Sequence, residues 1–187
     1  GIAQTAATSG YRVVLVDAAP EALAAGIASI GGILGTLVEK GKLGAAERDA
    51  ALARIVGAST LAVGVKDAEL VIEAVPESLE LKTRIFRELD AAAPRHAILA
   101  TNTSSLPVGT IAAATRRPER VAGMHFFNPV PVMPLLEIVR AEATSQETID
   151  AIVAIAERLR KDPIVVRDPP GFATSRLGVL LGLEAIR

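Results

Sequence analysis

Apolar positions along this chain fall into short β-branched runs separated by longer stretches at helical spacing. Tyr11-Arg12-Val13-Val14-Leu15-Val16-Asp17 follows Gly10 and reads as a buried strand. Leu70 to Val75, closed by Pro76, and Ala97 to Thr101 read as two more, with a short one over 55–61. Val121 to Phe126, Leu135 to Arg140 and Pro163 to Val166 complete the set. Between the strands, Pro20 to about Val38 predicts a long helix opening on proline. Ala45 to Arg54 predicts a second, and Leu79 to Ala93 a third with Leu81, Ile85, Phe86 and Leu89 on one face. Pro107 to Thr115 is a short helix, Ser145 to Arg160 starts on Ser-Gln-Glu-Thr, and Phe172 begins another. Ile2 to Thr8 reads as the tail of a helix that Ser9-Gly10 ends.

Strands that alternate with helices predict an α/β fold on a parallel sheet with right-handed crossovers. In such sheets ligands sit beyond the carboxyl ends of the strands. Asp17, Glu77, Asn102, Ser104, His125 and Asn128 all lie at or just after predicted strand ends.

Half of the 187 residues are hydrophobic and only 3% aromatic, so Ala, Val, Leu and Ile supply the core, as suits helices on a buried parallel sheet. The net charge is −1 with both signs scattered, and without a basic stripe no nucleic-acid partner is expected. Cysteine is absent, which excludes disulfides and thiolate metal sites, and two histidines argue against a dedicated metal centre. No run matches the roughly 20 uninterrupted apolar residues of a membrane span, so no membrane partner is expected.

Two polar residues break the apolar pattern near the chain's most distinctive segment. His125 follows Val121-Ala122-Gly123-Met124, and Glu137 interrupts Leu135-Leu136-Glu137-Ile138-Val139. A polar group in such a run is costly unless it finds a partner. The economical reading pairs them: the carboxylate holds the imidazole, and the imidazole moves a proton. A structural histidine beside an inter-strand carboxylate is the alternative.

Four motifs make the pattern specific. Asp67 to Glu77, Asn102-Thr103-Ser104-Ser105-Leu106, Gly123-Met124-His125-Phe126-Phe127-Asn128-Pro129 and Pro170-Gly171-Phe172 together resemble the L-3-hydroxyacyl-CoA dehydrogenase family, most of all its short-chain bacterial branch. The resemblance implies a Rossmann-like, doubly wound, mostly parallel sheet. It implies reversible NAD-dependent oxidation of a 3-hydroxyacyl-CoA such as 3-hydroxybutyryl-CoA to the 3-ketoacyl-CoA, in fatty acid metabolism, by a cytoplasmic homodimer.

Carried over residue by residue, His125 is the base and Glu137 its orienting partner. Ser104 and Asn128 hold the substrate. Asp17, Ala74, Glu77, Lys82 and Asn102 line the cofactor. Asp17 at a strand end favours NAD over NADP. Lys40 and Lys42 stand where CoA phosphates could meet them, although a charge cluster in a turn is usually just solvated. Plainer readings stand beside these: a helix cap for Ser104 or Asp17, a turn former for Asn128, a solvated acid and lysine for Glu77 and Lys82. His96 reads as a solvated loop residue.

The sequence also departs from the family. Ser175 stands where the family carries a substrate-contacting asparagine, and is expected to keep a role with altered geometry. No G-x-G-x-x-G occurs; Gly1-Ile2-Ala3-Gln4 resembles the helix just past the third glycine. Residues 1–168 are therefore expected to form a NAD-binding domain that lacks its first strand and phosphate loop. That strand belongs between those ending at Asp17 and Val75. Residues 169–187 are expected to be a linker and the first helix of an absent all-α dimerisation domain. The chain by itself is expected to bind cofactor poorly and to be inactive. The rival readings are another nicotinamide-dependent hydroxy-acid dehydrogenase, or a non-catalytic protein on the same scaffold.

Overall fold

A computed structural model describes residues 1–186. In chain order the elements are α1 (Ile2–Thr8), β1 (Val13–Val16), α2 (Pro20–Glu39), α3 (Ala45–Ala53), β2 (Ile55–Ala58), α4 (Leu61–Val65), β3 (Leu70–Glu73) and α5 (Leu79–Ala92). There follow β4 (Ile98–Thr101), α6 (Val108–Ala112), β5 (Val121–Phe126), β6 (Leu135–Arg140), α7 (Gln146–Arg158), β7 (Asp162–Arg167) and α8 (Thr174–Ile186). Side-chain caps set several of the starts: Ser78 accepts from Leu81 N, Ser145 from Thr148 N and Thr60 from Val63 N.

The strands form two sheets. β1 and β2 pair in parallel, and β3-β4-β5-β6-β7 form a five-stranded sheet. β3, β4 and β5 are parallel, as the alternation of helix and strand predicts, but β5 and β6 are antiparallel. No helix separates β5 from β6; the proline-rich segment 128–134 turns the chain back, and a reversal needs no crossover. Among the described residues, β1 pairs only with β2, while β3 pairs only with β4, so one edge of each strand carries no partner.

The central strands β4, β5 and β6 are covered on both faces. Leu99, Val121 and Val139 pack with Phe86 and Leu89 of α5 and Val108 and Ile111 of α6. Ile98, Ala100, Ala122, Met124, Leu136 and Ile138 pack with Ile149 and Ile152 of α7. The alternation of Ile98, Leu99 and Ala100 between the two cores follows from the period of two along a strand. Removing a fully buried side chain such as Leu99 costs about 2–5 kcal/mol. A smaller core joins Ile30 and Leu34 of α2 to Ala7, Ala51 and Ile55.

Two features differ from the sequence reading. α4 fits inside what reads as loop, because five residues are too few to show helical periodicity. α2 is long and apolar enough, by length and composition, to cross a membrane, although no such run was expected. Its alanines lift the average together with scattered Leu, Ile and Val, while Gly, Ser and Thr interrupt any continuous run of large apolar residues, and Ile30 and Leu34 turn inward.

Gly123 marks a place where the sheet admits no side chain. A Cβ there would lie 2.7 Å from Val139 Cβ and 3.2 Å from Val108 Cγ2. Glycine lets α6 and β6 close on β5 two residues before His125.

Candidate active site

Strand register brings His125 and Glu137 together. They are directly opposed on β5 and β6. Nδ1 of the imidazole lies 2.7 Å from Glu137 Oε2, and Glu137 is 0% exposed. The ring is flanked by Phe127 and Phe172, with centroids 4.5 Å and 5.9 Å away.

Glu137 is fully engaged. Oε1 accepts the N–H groups of Ala173 and Thr174 at 3.2 Å and 2.9 Å, and Oε2 accepts the Thr174 hydroxyl at 2.9 Å. The carboxylate thus sits on the N-terminal turn of α8, where a negative charge is favoured. Burial alone would raise its pKa; the bonds from His125 and from Thr174's backbone and hydroxyl outweigh this and hold it below the ordinary carboxylate range. An ionised partner at Nδ1 keeps the proton on that nitrogen in the neutral ring and leaves Nε2 for proton exchange.

Ser104 lies in the exit loop of β4. Its N–H donates to Glu77 Oε1 at 2.9 Å, as does that of Ser105 at 3.3 Å, and the Thr103 hydroxyl donates to the same oxygen. Thr103 Oγ1 in turn accepts Leu106 N at 3.0 Å, a local turn that shapes the loop. Asn102 Oδ1 accepts Phe126 N at 2.9 Å and so ties this loop to the end of β5 beside His125. The Ser175 hydroxyl donates to the Ser104 carbonyl at 3.4 Å, so α8 touches both halves of the site.

Behind Glu77 lies a buried network. Lys82 Nζ is 2.8 Å from Glu73 Oε1, donates to the Val75 carbonyl at 3.2 Å, and is 3.5 Å from Glu77 Oε2. Glu73 also accepts Val75 N and the Thr101 hydroxyl, each at 2.7 Å. For Glu77, desolvation raises the pKa but the Thr103, Ser104, Lys82 and Ser105 interactions prevail and lower it.

The other expected residues are placed as follows. Asp17 is exposed past the end of β1, with Oδ1 accepting Ala19 N at 2.9 Å. Ala74 is exposed just past β3, and Asn128 is exposed at the bend after β5, where the Asn128–Pro129 peptide is cis. Lys40, Lys42 and His96 are exposed. Lys82 is buried at 1% exposure, so its ammonium faces Glu73 and reaches the surface of the site only through Glu77.

Sequence reasoning missed three contributors. Glu73 interrupts an apolar strand just as Glu137 does, and the same signal marks it. Thr103 precedes Ser104 inside a motif where attention falls on the serines. Thr174 at a helix start looks like a capping residue, and nothing local links it to Glu137, 37 positions away.

Known proteins resemble this chain throughout its length. The family described as "3-hydroxyacyl-CoA dehydrogenase, NAD binding domain" matches residues 1–169. The "Probable 3-hydroxybutyryl-CoA dehydrogenase" of Bacillus subtilis is 46% identical over 186 residues, covering 100% of this chain and 64% of that protein. The human mitochondrial hydroxyacyl-coenzyme A dehydrogenase is 42% identical over 192 residues, covering 100% of this chain and 61% of that protein. The crystal structure of (S)-3-hydroxybutyryl-CoA dehydrogenase from Ralstonia eutropha superposes with a TM-score of 0.93 at 40% identity, covering 96% of this chain and 63% of that one. This chain therefore spans less than two thirds of the length of these relatives.

Proposed function

This chain belongs to the 3-hydroxyacyl-CoA dehydrogenase family, and from that premise we propose that its native protein oxidises a short-chain L-3-hydroxyacyl-CoA, such as 3-hydroxybutyryl-CoA, and reduces the 3-ketoacyl-CoA in reverse. Residues 1–168 serve as the NAD-binding domain, and residues from 169 lead into a helical dimerisation domain. The exposed Leu177, Leu180, Leu181 and Leu183 of α8 form an apolar surface that suits packing within such a domain.

When bound, NAD supplies the hydride acceptor. Asp17, an exposed carboxylate past the end of β1, fits the adenosine ribose hydroxyls and opposes a 2′-phosphate. Ala74, Glu77 and Asn102 line the rest of the path, with Lys82 orienting Glu77 from behind. With no glycine-rich turn in the sequence, no residue is assigned to the pyrophosphate.

The proton belongs to the protein. His125 Nδ1 is committed to Glu137, so Nε2 takes the proton of the 3-hydroxyl as the carbinol hydrogen departs. Glu137 stabilises the imidazolium that results. Ser104 donates to the substrate oxygen as it becomes a carbonyl, and Asn128 and Ser175 hold the acyl group. The observation that carries this reading is the buried 2.7 Å pair of His125 and Glu137 at the strand ends. Its test is His125→Gln in the native-length protein, with NADH-dependent reduction of acetoacetyl-CoA as the assay. A fall of about 10²–10⁴ is expected; a rate close to the parent's contradicts the reading.

A further inference from the structure

Glu137 Oε2 accepts two hydrogen bonds at once: His125 Nδ1 at 2.7 Å and the Thr174 hydroxyl at 2.9 Å. With Oε1 taking the N–H groups of Ala173 and Thr174, the carboxylate's acceptor capacity of about four is filled. The two donors to Oε2 are not equivalent. The imidazole must pass between neutral and cationic forms, and it leans on Oε2 most when cationic. The hydroxyl donates whatever the imidazole's state. It draws charge from the oxygen on which the imidazolium depends.

We propose that Thr174 is a positioning residue for the proton transfer: its hydroxyl shares Glu137 Oε2 with His125 and limits how strongly the carboxylate stabilises the imidazolium. The inference rests on the dehydrogenase reading for its role in catalysis, but the hydrogen-bond competition stands independently of it. Without the hydroxyl, Oε2 is held by His125 alone, the imidazolium is favoured, and the imidazole becomes a stronger base that releases its proton less readily. Thr174 thereby balances the two directions of one proton transfer.

The surroundings leave few other influences on this equilibrium. β7 places Ile164 opposite Glu137, and Phe127 and Phe172 flank the imidazole. Ala173 and Thr174 bring only amides and one hydroxyl. Among the described residues, the ion-pairing partner of Glu137 is His125.

Thr174→Val keeps the shape and removes only the donor; Thr174→Ser keeps the donor and removes the methyl. The pKa of His125 is read by NMR of labelled imidazole in the native-length protein, with His96, the other histidine of this chain, assigned by substitution. Thr174→Val is expected to move the His125 ring titration to higher pH than in the parent, with Thr174→Ser close to the parent. The acid limb of the pH profile of kcat/KM for 3-hydroxybutyryl-CoA oxidation is expected to move the same way, with KM for NAD unchanged. A His125 pKa that is the same in parent and Thr174→Val overturns the proposal, as does an equal shift in Thr174→Ser. A parent that does not act on acyl-CoA substrates would instead count against the dehydrogenase reading, while the NMR titration would still decide the role of Thr174.

Discussion

Lys82 and Glu73 meet at 2.8 Å with both side chains 1% exposed, a salt bridge sealed beneath the ends of β3 and β4. Neither charge reaches water, so each depends on the other and on the hydrogen bonds around it. Removing one partner of such a pair strands the other and costs about 3–5 kcal/mol, whereas exchanging both for apolar residues is often close to neutral. Lys82→Met is therefore expected to lower stability by about that amount. The double variant Glu73→Leu with Lys82→Met is expected to recover most of the loss, reduced by the bonds that Val75 N and Thr101 then lack. Urea denaturation of the three proteins measures both. Equal loss in the single and double variants would mean that the pair does not couple as described.

Glu77 binds the Ser104 loop through three donors from Thr103, Ser104 and Ser105. Glu77→Ala is expected to release that loop and displace Ser104 from its substrate. A misplacement of about 1 Å can cost about 10²-fold in rate, so kcat should fall by one to two orders of magnitude, about 10–10²-fold. KM for NADH should rise as well, since the same carboxylate is assigned to the cofactor path. A change in KM alone would separate the two roles and remove Glu77 from the positioning of Ser104.

Acid should weaken the fold through Asp90 and Glu137. Burial raises the Asp90 pKa, but bonds from Arg116 and Arg117 outweigh it and leave it below the ordinary value, as His125 and Thr174 do for Glu137. A carboxyl group whose folded pKa is depressed contributes stability that is complete above its unfolded pKa of about 4 and is lost as pH falls through the folded value. Asp90→Asn is expected to be less stable than the parent at pH 7, because Arg117 and Arg116 lose the charge they face at 2.8 Å and 2.9 Å. Its stability should decline less steeply below about pH 4. Denaturation midpoints of parent and variant across that range give the comparison; parallel curves would exclude Asp90 from the acid response.

The sequence made the chemistry more legible than the architecture. His125 and Glu137 stand out because each breaks a strand of apolar residues, and burial makes such an exception informative. The strand runs at Val121–Phe126 and Leu135–Arg140 are equally plain, yet their antiparallel pairing depends on the absence of a helix between them, which a list of elements does not emphasise. The division into two sheets follows from which edges meet, a long-range property that local patterning does not carry. Local pattern is enough to put Asp17 and Asn102 at strand ends; it does not show that Asn102 spends its carbonyl oxygen on Phe126 N, because the partner is 24 positions away. Thr174 was illegible for the same reason.

Lys161 offers a test of how the bend between His125 and Glu137 is held. It is 6% exposed, and its ammonium donates to the Val130 carbonyl and, at 2.8 Å, to that of Met133. Those carbonyls belong to the proline-rich segment that connects β5 to β6. Prolines 129, 131 and 134 have no N–H, so the bend has few donors of its own, and a lysine from beyond α7 supplies them. Desolvation lowers the Lys161 pKa. The folded state therefore binds fewer protons than the unfolded chain between the depressed value and the unfolded pKa of about 10.4, and stability contributed by this group rises with pH across that interval. Lys161→Met is expected to cost about 1–3 kcal/mol at pH 7 by leaving the two carbonyls without their donor. It should also remove the alkaline rise that the parent shows. The loosened bend is expected to broaden the geometry of the His125–Glu137 pair, so the rate of acetoacetyl-CoA reduction should fall along with stability. Denaturation at neutral and alkaline pH, together with that assay, checks all three outcomes; an unchanged pH dependence would show that the lysine's charge is not linked to folding.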